Sequence, residues 1–170
     1  MALCVSAKRL FWPQELRVAK DEKGVSFGDR TVFLEMVGLL LPLICCPEVL
    51  AGKHVVLKVD NLGCYYGWQN KSVCNDRAAS IFVRAIFLIS SYLECCIHVE
   101  HLPRMSSWEA EMCDRMSREK TTQKNDENVL TYYKGSVIPS ELLEWLKNPV
   151  SDWSICNVLL EKVIEPMEKT

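Results

Sequence analysis

Residues 54–60 read His-Val-Val-Leu-Lys-Val-Asp and form the most strand-like run in the chain. A continuous, largely β-branched run predicts a strand at the centre of a sheet, covered on both faces. Apolar patterns of helical type lie on either side of it, from Val32 to Cys45 and from Asp76 to Leu93. A second strand is predicted over 95–102. This order of strands and helices predicts an α/β domain with helices packed on one sheet.

The two ends of the chain extend this domain. Residues 1–30 have the composition of one or two strands, and residues 119–134 are a polar, charged stretch that predicts a linker. Residues 135–170 contain two short amphipathic patterns, each typical of a helix. We therefore expect a domain over 1–118, a linker over 119–134 and a helical C-terminal extension over 135–170.

The composition sets limits on the class of protein. Hydrophobic residues make up 49% of the 170 residues and charged residues 25%, values that exclude an intrinsically disordered or low-complexity chain. A net charge of −2 argues against the strongly basic profile of many nucleic-acid-binding proteins, although it allows a local basic strip. The longest apolar stretch, Met36 to Cys46, is about half the ~20 residues that a membrane span requires. We expect no membrane partner.

The cysteines indicate the compartment. The chain has nine of them, no C-x-x-C pair, and no charged leader after Met1, a combination that predicts reduced thiols in an intracellular protein of the cytoplasm or nucleus. Most of these cysteines lie in apolar runs, where Cys behaves as a small hydrophobic residue. Because Cys and His with the spacing of zinc ligands are absent, a zinc site is not predicted.

Three carboxylates stand out by their positions. Glu35 has apolar neighbours in the first predicted helix, Asp60 ends the central strand, and Asp114 follows the second strand. An ionised carboxylate in an apolar setting costs several kcal/mol unless it is compensated, and Mg²⁺ compensates well. Taken singly, each acid also has a structural interpretation: Glu35 paired with an arginine, Asp60 opening a turn, and Asp114 facing solvent.

The contexts of these acids resemble a known family. They read Thr31-Val32-Phe33-Leu34-Glu35, Val56-Leu57-Lys58-Val59-Asp60-Asn61 and Cys113-Asp114-Arg115-Met116-Ser117-Arg118. Together they resemble the RNase H domain of retrotransposon reverse transcriptases of the gypsy and DIRS types. The resemblance covers residues 1–118 and implies an RNase H-like mixed sheet flanked by helices. It further implies a hydrolase that cleaves the RNA strand of RNA–DNA hybrids.

The resemblance also assigns roles to residues. It implies that Glu35, Asp60 and Asp114 are catalytic acids that bind Mg²⁺ or Mn²⁺. It further implies that His101 is a mobile histidine that aids product release, although a surface histidine beside Glu100 is the simpler interpretation. Such metal sites hold two ions about 4 Å apart, one activating water and one stabilising the leaving oxygen.

The sequence departs from the family pattern in one important respect. The family uses four acids, and the first is an Asp on the first strand, well before the helix Glu. The corresponding position falls before Met1, so we expect an N-terminally truncated domain with reduced hydrolysis. Cys113 also replaces the family's Ala, and Arg104-Met105-Ser106-Ser107 replaces its Gly-x-x-Asn.

A set of polar, aromatic and basic residues has the character of a nucleic-acid groove, in which rings stack on bases and cations meet phosphates. Its members are Asn61, Tyr65, Trp68, Lys71, Arg104, Arg115 and Arg118. Tyr65 and Trp68 are equally well interpreted as packing residues under the sheet, and the arginines as a solvated helix end.

Two other functions stay open. One is a catalytically inactive module that keeps the fold and binds nucleic acid or protein, with the Trp and Leu residues of the C-terminal helices contacting a reverse transcriptase polymerase domain or another protein. The other is a different nuclease or an integrase of the same fold, which requires a late helix Glu such as Glu109 or Glu111.

Overall fold

The computed structural model describes residues 31–103, 140–147 and 153–168. This part of the chain is mixed α/β, mostly helical, with a small parallel sheet of two strands. Its elements in chain order are α1 (Thr31–Cys45), α2 (Pro47–Leu50), β1 (His54–Val59), α3 (Leu62–Gln69), α4 (Arg77–Tyr92), β2 (Cys96–His101), α5 (Ser140–Lys147) and α6 (Ser154–Met167).

The two strands run parallel and in register. His54 pairs with Cys96 at the beginning of the strands, and Val59 pairs with His101 at their end. The backbone N–H of Leu102 donates to the Val59 carbonyl oxygen at 2.8 Å and closes this end of the pair. Because the strands are parallel, both carboxyl ends lie at the same side of the sheet. We call this side, with Asp60 and His101, the carboxyl edge.

One prediction about β1 was wrong. The strand was expected to be covered on both faces, but its side chains alternate, and His54, Val56 and Lys58 are exposed. Val56 is 52% exposed, whereas Val59 is buried. His54 and Lys58 each lie two residues from Val56 along the strand. Exposure therefore repeats every second residue, which is typical of a strand with one solvated face.

Helix α1 supplies a large share of the hydrophobic core. The helix continues through Pro42 to Cys45. The next backbone N–H, from Cys46, donates to the Pro42 carbonyl oxygen at 3.0 Å. Phe33 of α1 packs against Phe82 of α4 with ring centroids 5.4 Å apart. The first helix is therefore buried against the long helix that precedes β2.

The described C-terminal helices belong to the same core. Leu142 and Leu146 of α5 and Leu159 and Val163 of α6 are at most 1% exposed, and they join the cluster that α1 and α4 form. Between the two helices, Lys162 Nζ lies 2.8 Å from a carboxylate oxygen of Glu141. These four side chains of α5 and α6 are thus part of the core of the domain.

The two described tryptophans of this region have different environments. Trp145 is 8% exposed and packs edge-on against Phe82, with centroids 5.2 Å apart. Trp153 is 43% exposed, and the Arg84 guanidinium lies 3.9 Å from the centroid of its ring. Trp145 is therefore a core residue, whereas Trp153 contacts α4 at the surface. In the part of the chain that the structure describes, no helix is both long and apolar enough to cross a bilayer.

Candidate functional site

Two of the three predicted acids lie at the carboxyl edge. Asp60 follows β1 directly, and Glu35 lies in the second turn of α1. Burial raises the pKa of the Cys64 thiol strongly, and the negative charges of Glu35 and Asp60 raise this pKa further. Both carboxylates therefore act on the same buried sulfur. The third predicted acid, Asp114, lies outside the described residues.

Helix α3 is attached firmly to the end of β1. The Asn61 side chain caps it, because Asn61 Oδ1 accepts a hydrogen bond from the Cys64 backbone N–H at 3.2 Å. A capping bond of this kind stabilises a helix by about 1 kcal/mol. Asn61, predicted to contact nucleic acid, thus has a structural role as well, and it fixes the direction in which the chain leaves Asp60.

Two glycines let α3 approach α1 closely. A Cβ atom on Gly63 would lie 2.8 Å from Val32 Cγ2, and one on Gly67 would lie 2.7 Å from Val73 Cγ2 and 2.9 Å from Met36 Cε. Contacts below 3.0 Å do not fit without movement, so this approach depends on glycine. The close packing brings the first turn of α1, with Glu35 just beyond it, towards Asp60.

Cys64 lies between the helices and is fully buried. Since its pKa is raised, the thiol stays protonated at neutral pH and adds no charge beside the two acids. The sequence did not single out Gly63, Cys64 or Gly67. The available signal was the spacing of two glycines four positions apart in a short helix, which places them on one helix face.

His101 and two tyrosines lie at the same edge. The ring of His101 is half-buried, with its centroid 6.2 Å from that of Tyr65, and the Tyr65 ring lies 5.3 Å from that of Tyr66. Tyr66 is 56% exposed and Tyr65 is half-buried. The structure therefore brings together Glu35, Asp60, Asn61, Tyr65 and His101 from the predicted set.

Trp68 has a different environment. It is 4% exposed, and its ring stacks on Phe87 at 4.5 Å with an interplanar angle of 8°. The Lys71 ammonium lies 5.0 Å from the Trp68 centroid and 4.5 Å from the Phe87 centroid. Of the two interpretations left open by the sequence, packing accounts for Trp68, which has little surface to offer a base. Lys71 is exposed beside it. Arg104, Arg115 and Arg118 lie outside the described residues.

The described residues supply part of a metal-ligand set. Glu35 and Asp60 provide carboxylate oxygens, the ligands that Mg²⁺ prefers along with waters and phosphate oxygens. Among residues 31–103, 140–147 and 153–168, no three His, Cys, Asp or Glu side chains are already arranged around one point as metal ligands. The two carboxylates suit the kind of divalent ion that the resemblance implies, and Asp114, the third acid that the resemblance assigns, lies outside the described residues.

None of the protein-family models, curated proteins or solved structures compared with the chain matches it. The functional assignment therefore rests on the residues and distances of the chain itself. The arrangement to be explained is two acids, a capped helix and a half-buried histidine at one edge of a parallel sheet.

Proposed function

We propose that the chain is a retroelement-derived, RNase H-like domain whose carboxyl edge binds Mg²⁺ or Mn²⁺ together with an RNA–DNA hybrid. The observation that carries this proposal is the position of Asp60 at the carboxyl end of β1, where Val59 pairs with His101 of β2. Glu35 of α1 is close enough for its charge to raise the pKa of the same buried Cys64 thiol as Asp60 does. These acids come from different elements, and they lie at the edge of a sheet where α/β proteins bind ligands.

The chemistry of the edge supports a divalent ion. Neighbouring carboxylates repel each other when both are ionised, and a hard cation between them lowers this repulsion. A bound ion would activate water and stabilise the leaving oxygen of a phosphodiester. The chain contributes by holding the two carboxylates through the capped start of α3 and its close contact with α1.

Hydrolysis by this site is expected to be weak. The resemblance assigns only three of the family's four acids to this sequence, and the paired site needs an acid that bridges both ions. We expect slow cleavage unless another segment or chain supplies that acid. The mobile-histidine role of His101 is part of the same proposal and is supported by its position across from Val59 at the end of β2.

An inactive nucleic-acid-binding module is the second candidate. It is favoured by an exposed apolar pair on α3, Leu62 at 52% and Tyr66 at 56% exposure, directly after Asp60. Exposed apolar side chains one helical turn apart suit stacking or packing against a bound partner. This candidate keeps the hybrid as ligand and removes only the cleavage.

A labelled RNA–DNA hybrid and a thermal melt distinguish the candidates. We expect Mg²⁺ or Mn²⁺ to raise the melting temperature of the wild-type chain, and Asp60→Asn and Glu35→Gln to abolish this rise. Glu48→Gln, an exposed acid of α2, is the control and should retain it. Cleavage that requires Asp60 supports the nuclease, whereas hybrid binding without metal stabilisation or cleavage supports the inactive module. A chain that neither binds the hybrid nor responds to the ions refutes both.

A further inference from the structure

The solvated face of the sheet carries an unexpected group of side chains. The strand register pairs His54 with Cys96, Val56 with His98, and Lys58 with Glu100. Paired residues of neighbouring strands point to the same face, and all six of these side chains are exposed. We call this surface the outer face. It holds two imidazoles, a thiol and a carboxylate within two strands.

The spacing on the outer face suits a metal ion. Neighbouring strands lie about 4.8 Å apart, and alternate residues along a strand lie about 6.6 Å apart. His54 is therefore directly across from Cys96, and His98 is the next residue of that face along β2. Three side chains rooted at this spacing can direct one sulfur and two nitrogens to a common point above the sheet.

The backbone under this group is fixed. The Cys96 N–H donates to the Lys53 carbonyl oxygen at 2.9 Å, and the Gly52 N–H donates to the Leu93 carbonyl oxygen at 2.8 Å. These bonds join the chain just before β1 to the chain around the start of β2. His54 and Cys96 consequently cannot slip relative to each other, and sites carried by strands hold ligands more reproducibly than sites on loops.

We propose that the outer face binds Zn²⁺ through His54, Cys96 and His98. The sequence did not predict a zinc site, because these ligands come from two strands that are distant in the chain. Thiolate and imidazole are the ligand types that Zn²⁺ prefers, at about 2.3 Å for sulfur and about 2.0 Å for nitrogen. Cys96 binds as the thiolate, and its proton is released to solvent. Three protein ligands leave the fourth tetrahedral position for a water molecule.

Glu100 has the position of a supporting residue. One of its carboxylate oxygens lies 3.8 Å from His98 Nε2, and both side chains are at least half exposed. A ring N–H that does not face the metal is commonly held by a carboxylate, which fixes the orientation of the imidazole. Lys58, paired with Glu100, is the one cation on the outer face and lies beyond His98, away from Cys96.

Rotation of the exposed side chains is required to complete the site. As these side chains stand, no three His, Cys, Asp or Glu residues among the described ones are placed to hold a metal ion together. The three ligands are exposed, and exposed side chains exchange between staggered rotamers on a picosecond-to-nanosecond timescale. The fixed backbone sets which donors can meet, and the ion selects the rotamers.

This site is separate from the carboxyl edge. His54 and Cys96 begin the two strands, whereas Asp60 and His101 lie at their other end. The ligands also differ in kind, since nitrogen and sulfur select zinc and carboxylates select magnesium. Loss of metal binding at one of these sites should therefore leave metal binding at the other unchanged.

Cobalt titration tests the proposal, because Co²⁺ replaces Zn²⁺ and absorbs visibly when a thiolate binds it. We expect the reduced, chelator-treated chain to bind one Co²⁺ with thiolate absorption, and Zn²⁺ to displace it. Cys96→Ser should abolish this absorption, and His54→Ala or His98→Ala should weaken affinity. Glu100→Gln should weaken affinity about tenfold, the usual effect of removing a residue that orients a ligand.

The chain provides a matched control in Cys74, an exposed free cysteine outside the outer face. Cys74→Ser should leave the cobalt spectrum unchanged, and Glu48→Gln, a change at an exposed acid outside both sites, should do the same. An absorption that survives in Cys96→Ser, or that is lost in Cys74→Ser, overturns the assignment. So does a wild-type chain with no stoichiometric binding of Co²⁺ or Zn²⁺.

Discussion

Replacing Leu159 by alanine tests whether the C-terminal helices belong to the domain. Leu159 is fully buried in α6, within the cluster shared with α1 and α4. Leu→Ala changes at such sites cost about 2–5 kcal/mol, through lost burial and the cavity left behind. We expect about 3 kcal/mol, a large fraction of the 5–15 kcal/mol that is typical of a domain.

Urea unfolding followed by circular dichroism measures this loss. With a slope of about 2 kcal/mol per molar urea, the midpoint should fall by about 1.5 M while the slope stays constant. Leu160→Ala is the matched control, since this neighbour is only half-buried and should cost clearly less. Equal small losses for both variants, below about 1 kcal/mol, would show that α6 does not pack into the core and would refute the argument.

Three further predictions concern the helix contact at the site, an ion pair and a thiol. Gly67→Ala should lower the free energy of unfolding, measured in urea, by about 1–3 kcal/mol despite the better helix propensity of alanine, because its Cβ meets Val73. A Val73→Ala background should reduce this loss. A Gly67→Ala chain that is more stable than the wild type contradicts the prediction. A hydrogen bond from Lys162 lowers the pKa of Glu141 to about 2. The pair should therefore stabilise the fold above pH ~4.5 and lose this effect as the pH falls towards 2. In Lys162→Met, the pKa of Glu141 measured by NMR titration should rise towards its ordinary range. Asp60→Asn should lower the raised pKa of Cys64, so this thiol should react faster with an alkylating reagent at one fixed alkaline pH than in the wild-type chain. An unchanged rate would mean that Asp60 does not act on this thiol.

The local elements followed from the sequence. The predicted helix over 76–93 is observed as Arg77–Tyr92, and the strand predicted over 95–102 is observed as Cys96–His101. These outcomes agree because periodicity, caps and β-branched runs act over a few residues and can be read along the chain.

Part of the candidate site also followed from the sequence. Asp60 and His101 were predicted at the ends of successive strands, and parallel pairing alone then places them at one edge. The approach of Glu35 to that edge did not follow, because it depends on Gly63 and Gly67 fitting against side chains that are distant in the sequence. Sequence patterns identify an apolar helix face but not the atoms that will meet it.

The sequence by itself determined that this chain forms an α/β arrangement with an acid at the end of its strongest strand. Only the tertiary structure decided that one face of that strand is solvated and that α5 and α6 share the core. It also decided that His54, Cys96 and His98 share one face of the sheet. The physical reason is that strand register and burial are set by contacts between distant segments, whereas local propensity constrains only neighbours along the chain.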